Sequence, residues 1–371
     1  MREGKESVRV WQRVQPPADL FADGWSTAVR SSAEWLGWAW GLVGLIVFAI
    51  ASPAHGGDLP DRENVGVRVV GGPVIHPVQY RGVPGFDLRN AIIPRGEIRS
   101  GGPPKDGIPA LTDPAVVEAG RATYLNAADR VVGVAIAEES RAYPLRILNY
   151  HEVVNDRLGD VSIAVTYCPL CDSVAVFDRR RDGRLLEFGV SGLLFNSNVL
   201  MYDRGGEPES LWSQVAARGV SGPEAGTVLK TLPVELTTWA DWQTRHPGTT
   251  VLAEETGFRR DYRTTPYASY FSSRNLMFPV RPLSNRLPLK MPVLGVWTGE
   301  VARAYPVSAF GSADRTLEQE LGGKRFQVVF DSRSQSMRVE EAEGDIQWMY
   351  SFWFAWYAFR PHTEVYGLGK Q

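Results

Sequence analysis

The chain has only two cysteines in 371 residues, Cys168 and Cys171, three positions apart in Tyr167-Cys168-Pro169-Leu170-Cys171-Asp172-Ser173. Two thiols at that spacing can supply half the coordination shell of a soft metal ion, cycle between dithiol and disulfide, or close a structural bridge. Val161 to Thr166 alternate as a strand, and Val174 to Phe177 are apolar and β-prone. The pair is therefore expected at a hairpin tip, with Pro169 setting the turn and Asp172-Ser173 closing it. That is the geometry of a metal knuckle, in which two sulfurs roughly 3.5 to 4 Å apart share one ion at Zn–S distances of about 2.3 Å. A thioredoxin-like pair instead opens a helix whose amides lower the pKa of the first thiol, and no helical period follows Cys171.

The missing ligands must come from elsewhere, and there are five histidines. His55, His76, His246 and His362 lie beside the N-terminal apolar segment or in Pro-containing, turn-like stretches. His151, in Tyr150-His151-Glu152-Val153-Val154-Asn155-Asp156, precedes the cysteine strand by ten residues and is the expected third ligand. Glu152 would orient it, and Met201 offers a soft thioether. Such a set suits copper or zinc. Tyr167 adjoins the site, and Ser191, Asn196, Ser197 and Asn198 interrupt an apolar run, where they either line a polar pocket or tie off turns. A redox couple and a structural disulfide stay open beside metal binding. Gly-x-Ser-x-Gly, phosphate-loop and His-Glu-x-x-His signatures do not occur.

The elements that must hold these residues read as α+β, β-rich, with a few short helices. Gly (37), Pro (25) and 12 Trp favour short strands and tight turns over long helices. Residues 1–54 contain the uncharged run Trp35 to Ala51, read as a signal peptide or membrane anchor, so the bulk of the chain is expected outside the cytoplasm. A Pro/Gly-rich arm covers 55–110, a first β-rich unit with the cysteines 111–255, a linker 256–292, and a second, degenerate unit 293–371. The net charge of −2 supplies no electrostatic case for nucleic acid, so none is expected as partner.

The two units are related by an internal duplication in this reading. Val131-Val132-Gly133 through Arg141-Ala142-Tyr143-Pro144 aligns without gaps on Val293-Leu294-Gly295 through Arg303-Ala304-Tyr305-Pro306. Trp239-x-x-Trp242 with Pro247-x-Thr249-x-Val251 recurs as Trp353-x-x-Trp356 with Pro361-x-Thr363-x-Val365. Asp331 then stands for Cys168, Ser334 for Cys171 and Asp314 for His151, and residues 188–214 have no counterpart. The first unit is thus the working one and the second a scaffold. The aromatic run Trp348 to Phe359 is expected as one buried helix.

Tyr167-Cys-Pro-Leu-Cys171, His151-Glu-Val-Val-Asn-Asp156, the run from Phe188 to Asn198, Leu211-Trp-Ser-Gln214 and Phe352-Trp-Phe-Ala-Trp356 together resemble a bacterial and archaeal family known as domain of unknown function 3179. The resemblance covers roughly 110 to 367. It implies exported or membrane-anchored proteins and implies no reaction.

Overall fold

The structure, a computed structural model, describes residues 85–368; the apolar run Trp35 to Ala51 and residues 1–84 as a whole lie outside them. Among the described residues no helix is long and apolar enough to cross a membrane. The strand-rich reading holds: antiparallel and mixed sheets dominate, with four short helices, α1 (Leu145–His151), α2 (Trp239–Arg245), α3 (Ala268–Ser272) and α4 (Trp353–Phe359).

The same four-strand order occurs twice. Glu235–Thr238, Arg130–Ile136, Glu139–Pro144 and Thr250–Leu252 lie side by side, and so do Gln347–Phe352, Pro292–Thr298, Val301–Pro306 and Glu364–Val365. In each set the last pairing is parallel and the others antiparallel. A glycine explains how each set accepts its helix. A Cβ on Gly133 would meet the Trp242 ring at 2.3 Å, and one on Gly295 the Trp356 ring at 2.2 Å, so each indole lies flat against backbone. Each indole Nε1 then donates 3.0 Å to a threonine hydroxyl, Trp242 to Thr249 and Trp356 to Thr363.

Each set is joined to a three-stranded meander, and the two meanders differ in what covers them. Lys324–Asp331 alternates between buried and partly exposed residues, as expected of a strand with one wet face. Val161–Cys168 is buried on both faces from Ile163 onward. The difference traces to residues 188–214, which fold into the hairpin Phe188–Phe195 and Asn198–Asp203 plus Leu211–Ser213; Phe188, Val190, Met201 and Trp212 of this insert join the apolar cluster that holds both cysteines. The first meander also joins the second four-strand set, where Val174 pairs with Tyr350.

The aromatic run departs from the expected single helix. Gln347–Phe352 is a strand, and only Trp353–Phe359 is helical. Antiparallel pairing to Pro292–Thr298 claims the first half, because its backbone bonds would otherwise be unmet at the centre of a sheet.

Candidate functional site

Cys168 ends one strand of the cysteine hairpin, and Ser173 begins the next (Ser173–Asp178). The tip is a tight turn, with Cys171 N–H donating to the Cys168 carbonyl at 3.1 Å. Asp172 closes it at φ 45°, an uncommon conformation for a residue with a Cβ. Its carboxylate is clamped by both Arg130 terminal nitrogens at 3.0 and 2.9 Å and by the Tyr167 hydroxyl at 3.0 Å, which hold the strained residue in place. Tyr167 is therefore a support of the turn.

Both thiols are free and almost fully buried, Cys168 at 1% exposure and Cys171 at 0%. Burial pushes both pKa values up, but the two sulfurs meet different surroundings. At Cys168 burial, the largest influence, is opposed by the neighbouring Cys171 thiol and the backbone amides of Val199, Cys171 and Leu170, which favour the charged form and lower its pKa. Cys171, buried and facing that anion, is pushed well above the usual value. The Ser197 carbonyl stands as an acceptor to both thiols, 3.3 Å from the Cys171 sulfur and 3.8 Å from that of Cys168. The surroundings thus favour ionisation at Cys168 over Cys171.

The corresponding turn of the second unit has the same construction with oxygen in place of sulfur. Asp331 Oδ1 accepts Arg333 N–H at 3.1 Å, Ser334 N–H at 2.7 Å and the Ser334 hydroxyl at 2.6 Å. Gln335 then closes the turn at φ 52°, as Asp172 does at the first tip. At the second tip the Asp331 carboxylate collects the N–H groups two and three residues on together with the hydroxyl three residues on, and at the first tip the amides of Leu170 and Cys171 and the Cys171 thiol stand at the equivalent places and favour charge on Cys168. Such a nest of backbone amides favours an anion without any helix. This is the feature that expectations based on helix N-termini miss.

A buried polar chain underlies the turn. The Thr166 hydroxyl is committed to the Ala175 carbonyl at 2.7 Å, so Gln214 Nε2 must be the donor toward it, at 3.0 Å. Gln214 Oε1 accordingly accepts from Ser173 Oγ at 2.6 Å and Asn198 Nδ2 at 2.9 Å. Val215 N–H donates to Asn198 Oδ1 at 3.1 Å, which fixes the same orientation from the other end. The Asn198 amide is thereby presented to Cys171 as a donor, the one side-chain contact that lowers that thiol's pKa. Gln214 carries this orientation and was not among the expected site residues, although it stands in the Leu-Trp-Ser-Gln motif.

The remaining expected residues divide. Glu152 follows α1 at φ 58° and ψ −32°, 6% exposed, with the Tyr267 hydroxyl 3.4 Å from Oε1. Burial and the neighbouring Cys168 anion raise its pKa well above the usual carboxylate value. Its hydrogen bond is to Tyr267, while His151 bonds Pro109 and Tyr262, so Glu152 is not the orienting partner of His151. Met201 packs in the same apolar cluster as the cysteines. Ser191 bonds the Leu200 carbonyl and Leu193 N–H at a bulge, and Asn196, at φ 51°, accepts Arg281 N–H at 2.9 Å. Ser191 thus serves local backbone, whereas Asn196 ties the insert hairpin to Arg281 in the segment 256–292.

His151 departs from its expected role as third ligand. Its Nδ1 lies 2.7 Å from the Pro109 carbonyl, which can only accept, so Nδ1 carries the proton. Nε2 then accepts from the Tyr262 hydroxyl at 2.6 Å, so both ring nitrogens are engaged within the protein. Burial lowers its pKa, in keeping with a neutral ring. Among the described residues no group of three or more His, Cys, Asp or Glu is gathered as a cation site.

The linker expected over 256–292 is the roof of the site. Tyr262 bonds His151, Tyr267 reaches Glu152, and the Tyr270 hydroxyl on α3 donates to the Leu170 carbonyl at 2.7 Å. Lys290 pins α3 by donating to the Tyr270 and Ser273 carbonyls at 2.5 and 2.8 Å.

Glu152 carries a testable linkage. Because its folded pKa lies above the unfolded value, the stability tied to the uncharged acid is complete below the unfolded pKa and is lost as pH rises through the folded one. Glu152→Gln is therefore expected to gain on the parent protein between pH 5 and pH 8 in urea unfolding. Parallel pH dependence in the two proteins would place the carboxyl in water.

Residues 105–348 match a family model described as a protein of unknown function, DUF3179. No curated protein and no solved structure matches.

Proposed function

The chain belongs to the DUF3179 family, and on that premise we propose that its Cys168–Cys171 turn is a thiol–disulfide redox couple. The Cys168 thiolate attacks one sulfur of a partner disulfide, forming a mixed disulfide and releasing the first partner thiolate, which takes up a proton. Cys171 then loses its proton and attacks the Cys168 sulfur. The internal disulfide forms, and the second partner thiol leaves. Two electrons pass to the partner, and the reverse sequence oxidises a dithiol.

The observation that carries this reading is the unequal setting of two adjacent buried thiols, with backbone amides favouring charge at Cys168 and burial pushing Cys171 up, on a turn whose second-unit counterpart holds the Asp331 carboxylate on the two equivalent amides. A metal knuckle asks for two thiolates and for further ligands from elsewhere in the chain. The engaged nitrogens of His151 support the same choice. Because both sulfurs are roofed by residues 256–292, exchange requires that segment to lift. The reading goes with a location outside the cytoplasm, where a dithiol is oxidised unless a reductant or a metal holds it.

The test is equilibration of the purified protein in glutathione buffers spanning reducing to oxidising ratios, with disulfide content read by mass spectrometry and copper and zinc by elemental analysis. A reversible two-electron transition without bound metal is expected. A pair that stays reduced in every buffer, or that retains stoichiometric copper or zinc through both cysteines, overturns the couple; the second outcome returns the site to metal binding.

A further inference from the structure

Asp172 and Gln335, which close the two tips, line one cavity of about 100 Å³, several times the space a single water needs. Leu236, Val293, Val307 and Met337 give it an apolar wall, and Thr237, Ser334, Ser336 and Ser351 a polar one. Arg130 and Asp172 are its charged lining residues, and they pair with each other at 2.9 Å.

The polar wall is short of protons. A carboxylate only accepts, so the Thr237 hydroxyl gives its proton to Asp241 Oδ2 at 2.8 Å, and the Ser334 hydroxyl gives its own to Asp331 Oδ1 at 2.6 Å. Ser336 Oγ lies 3.0 Å from Thr237 Oγ and 2.7 Å from Ser334 Oγ. Both contacts call on the Ser336 proton, and a hydroxyl has one, so in one of them lone pair faces lone pair. Neighbouring donors are committed as well: Ser351 to the Phe352 carbonyl at 2.9 Å, Gln335 Nε2 to the Ser332 carbonyl at 2.8 Å, and Arg130 to Asp172 at 3.0 and 2.9 Å.

A guest that donates without accepting relieves this arrangement. A primary ammonium has three N–H donors and no acceptor, one for each of the three oxygens, and the apolar wall suits the alkyl stem that carries it. Its charge would also be drawn by Asp331, whose carboxylate is met only by N–H and O–H donors among the described residues. Arg245, which pairs with Asp241, is held by Glu235 as well.

We propose that this cavity binds a primary alkylammonium group through Thr237, Ser334 and Ser336, carried either by a free amine or by a lysine side chain of a partner protein. The site does not rest on the thiol chemistry.

The experiment is thermal unfolding of the full chain in butylammonium, N-acetyl-lysinamide, tetramethylammonium and potassium chlorides at one ionic strength. Butylammonium should give a saturable upward shift, while tetramethylammonium, equally charged but without an N–H, should match potassium. A shift with N-acetyl-lysinamide as well admits a lysine side chain as the source, and its absence restricts the site to free amines. Ser336→Ala should weaken the apparent affinity about tenfold. It removes the contact that one proton cannot serve, so the unliganded variant should be at least as stable as the parent. Thr237→Val should also weaken binding. Cys168→Ser should leave binding unaltered, which separates failure of this site from failure of the redox reading. No shift beyond that of potassium, an equal shift in tetramethylammonium, or an undiminished shift in Ser336→Ala overturns the proposal.

Discussion

Cys168→Ser is expected to abolish disulfide exchange, while Cys171→Ser should stop the protein at the mixed disulfide. The asymmetry follows from the nest. At position 168 three backbone amides and the Cys171 thiol favour the charged form, so this is the sulfur assigned the attack in the proposed couple. A serine hydroxyl there still accepts those N–H groups but does not ionise at neutral pH. Alanine would leave buried donors unmet at roughly 1 to 3 kcal/mol and confuse loss of chemistry with loss of fold. The rate with oxidised glutathione should fall at least about a thousandfold in Cys168→Ser, roughly 4 kcal/mol in barrier. In Cys171→Ser the first step survives, and a stable adduct on Cys168 should accumulate, visible as one glutathione by intact mass. An adduct on Cys171 in the converse variant, formed as fast, would invert the assignment.

How far such assignments can be read from sequence depends on whether the determining contact is local. The hairpin tip was legible because alternation on either side of Cys168-Pro169-Leu170-Cys171 and a proline in the turn are local signals. The repeated Gly133/Trp242 and Gly295/Trp356 constructions were visible as aligned residues, though not as the ring-on-backbone contact that explains them. Three features were not legible. The lowered pKa of Cys168 comes partly from Val199, on a strand of the insert hairpin, and from amides whose direction only the turn's conformation sets. The fate of His151 depends on Pro109 and Tyr262, which flank it at separations of 42 and 111 residues. Residues 256–292 have no regular period, and their role as a roof rests on single side chains such as Tyr267 and Tyr270. Trp348 to Phe352 misled for a different reason: a continuous apolar run is equally a central strand and a buried helix.

Transplanting the cysteines into the second tip isolates what the turn itself contributes. Asp331→Cys with Ser334→Cys puts a thiol into a nest that already holds an anion through Arg333 N–H, Ser334 N–H and the Ser334 side chain. This tip is less buried than the first, so a small alkylating reagent can reach it without lifting a roof. In a Cys168→Ser, Cys171→Ser background the thiol introduced by Asp331→Cys should titrate below an unperturbed thiol at about 8.5. Its alkylation near pH 6.5 should exceed that of an exposed single cysteine by about tenfold, the equivalent of one pKa unit. The sign follows from stabilising the charged form: a lower pKa leaves more thiolate at acidic pH and converges with the control above about pH 9. Asp331→Cys with Ser334→Ala keeps the two amides and removes the side-chain donor, so part of the shift should remain. If both grafted proteins alkylate like the control at every pH, the amides do not hold an anion. The low pKa of Cys168 would then have to come from Val199 and the insert hairpin, which the second unit lacks.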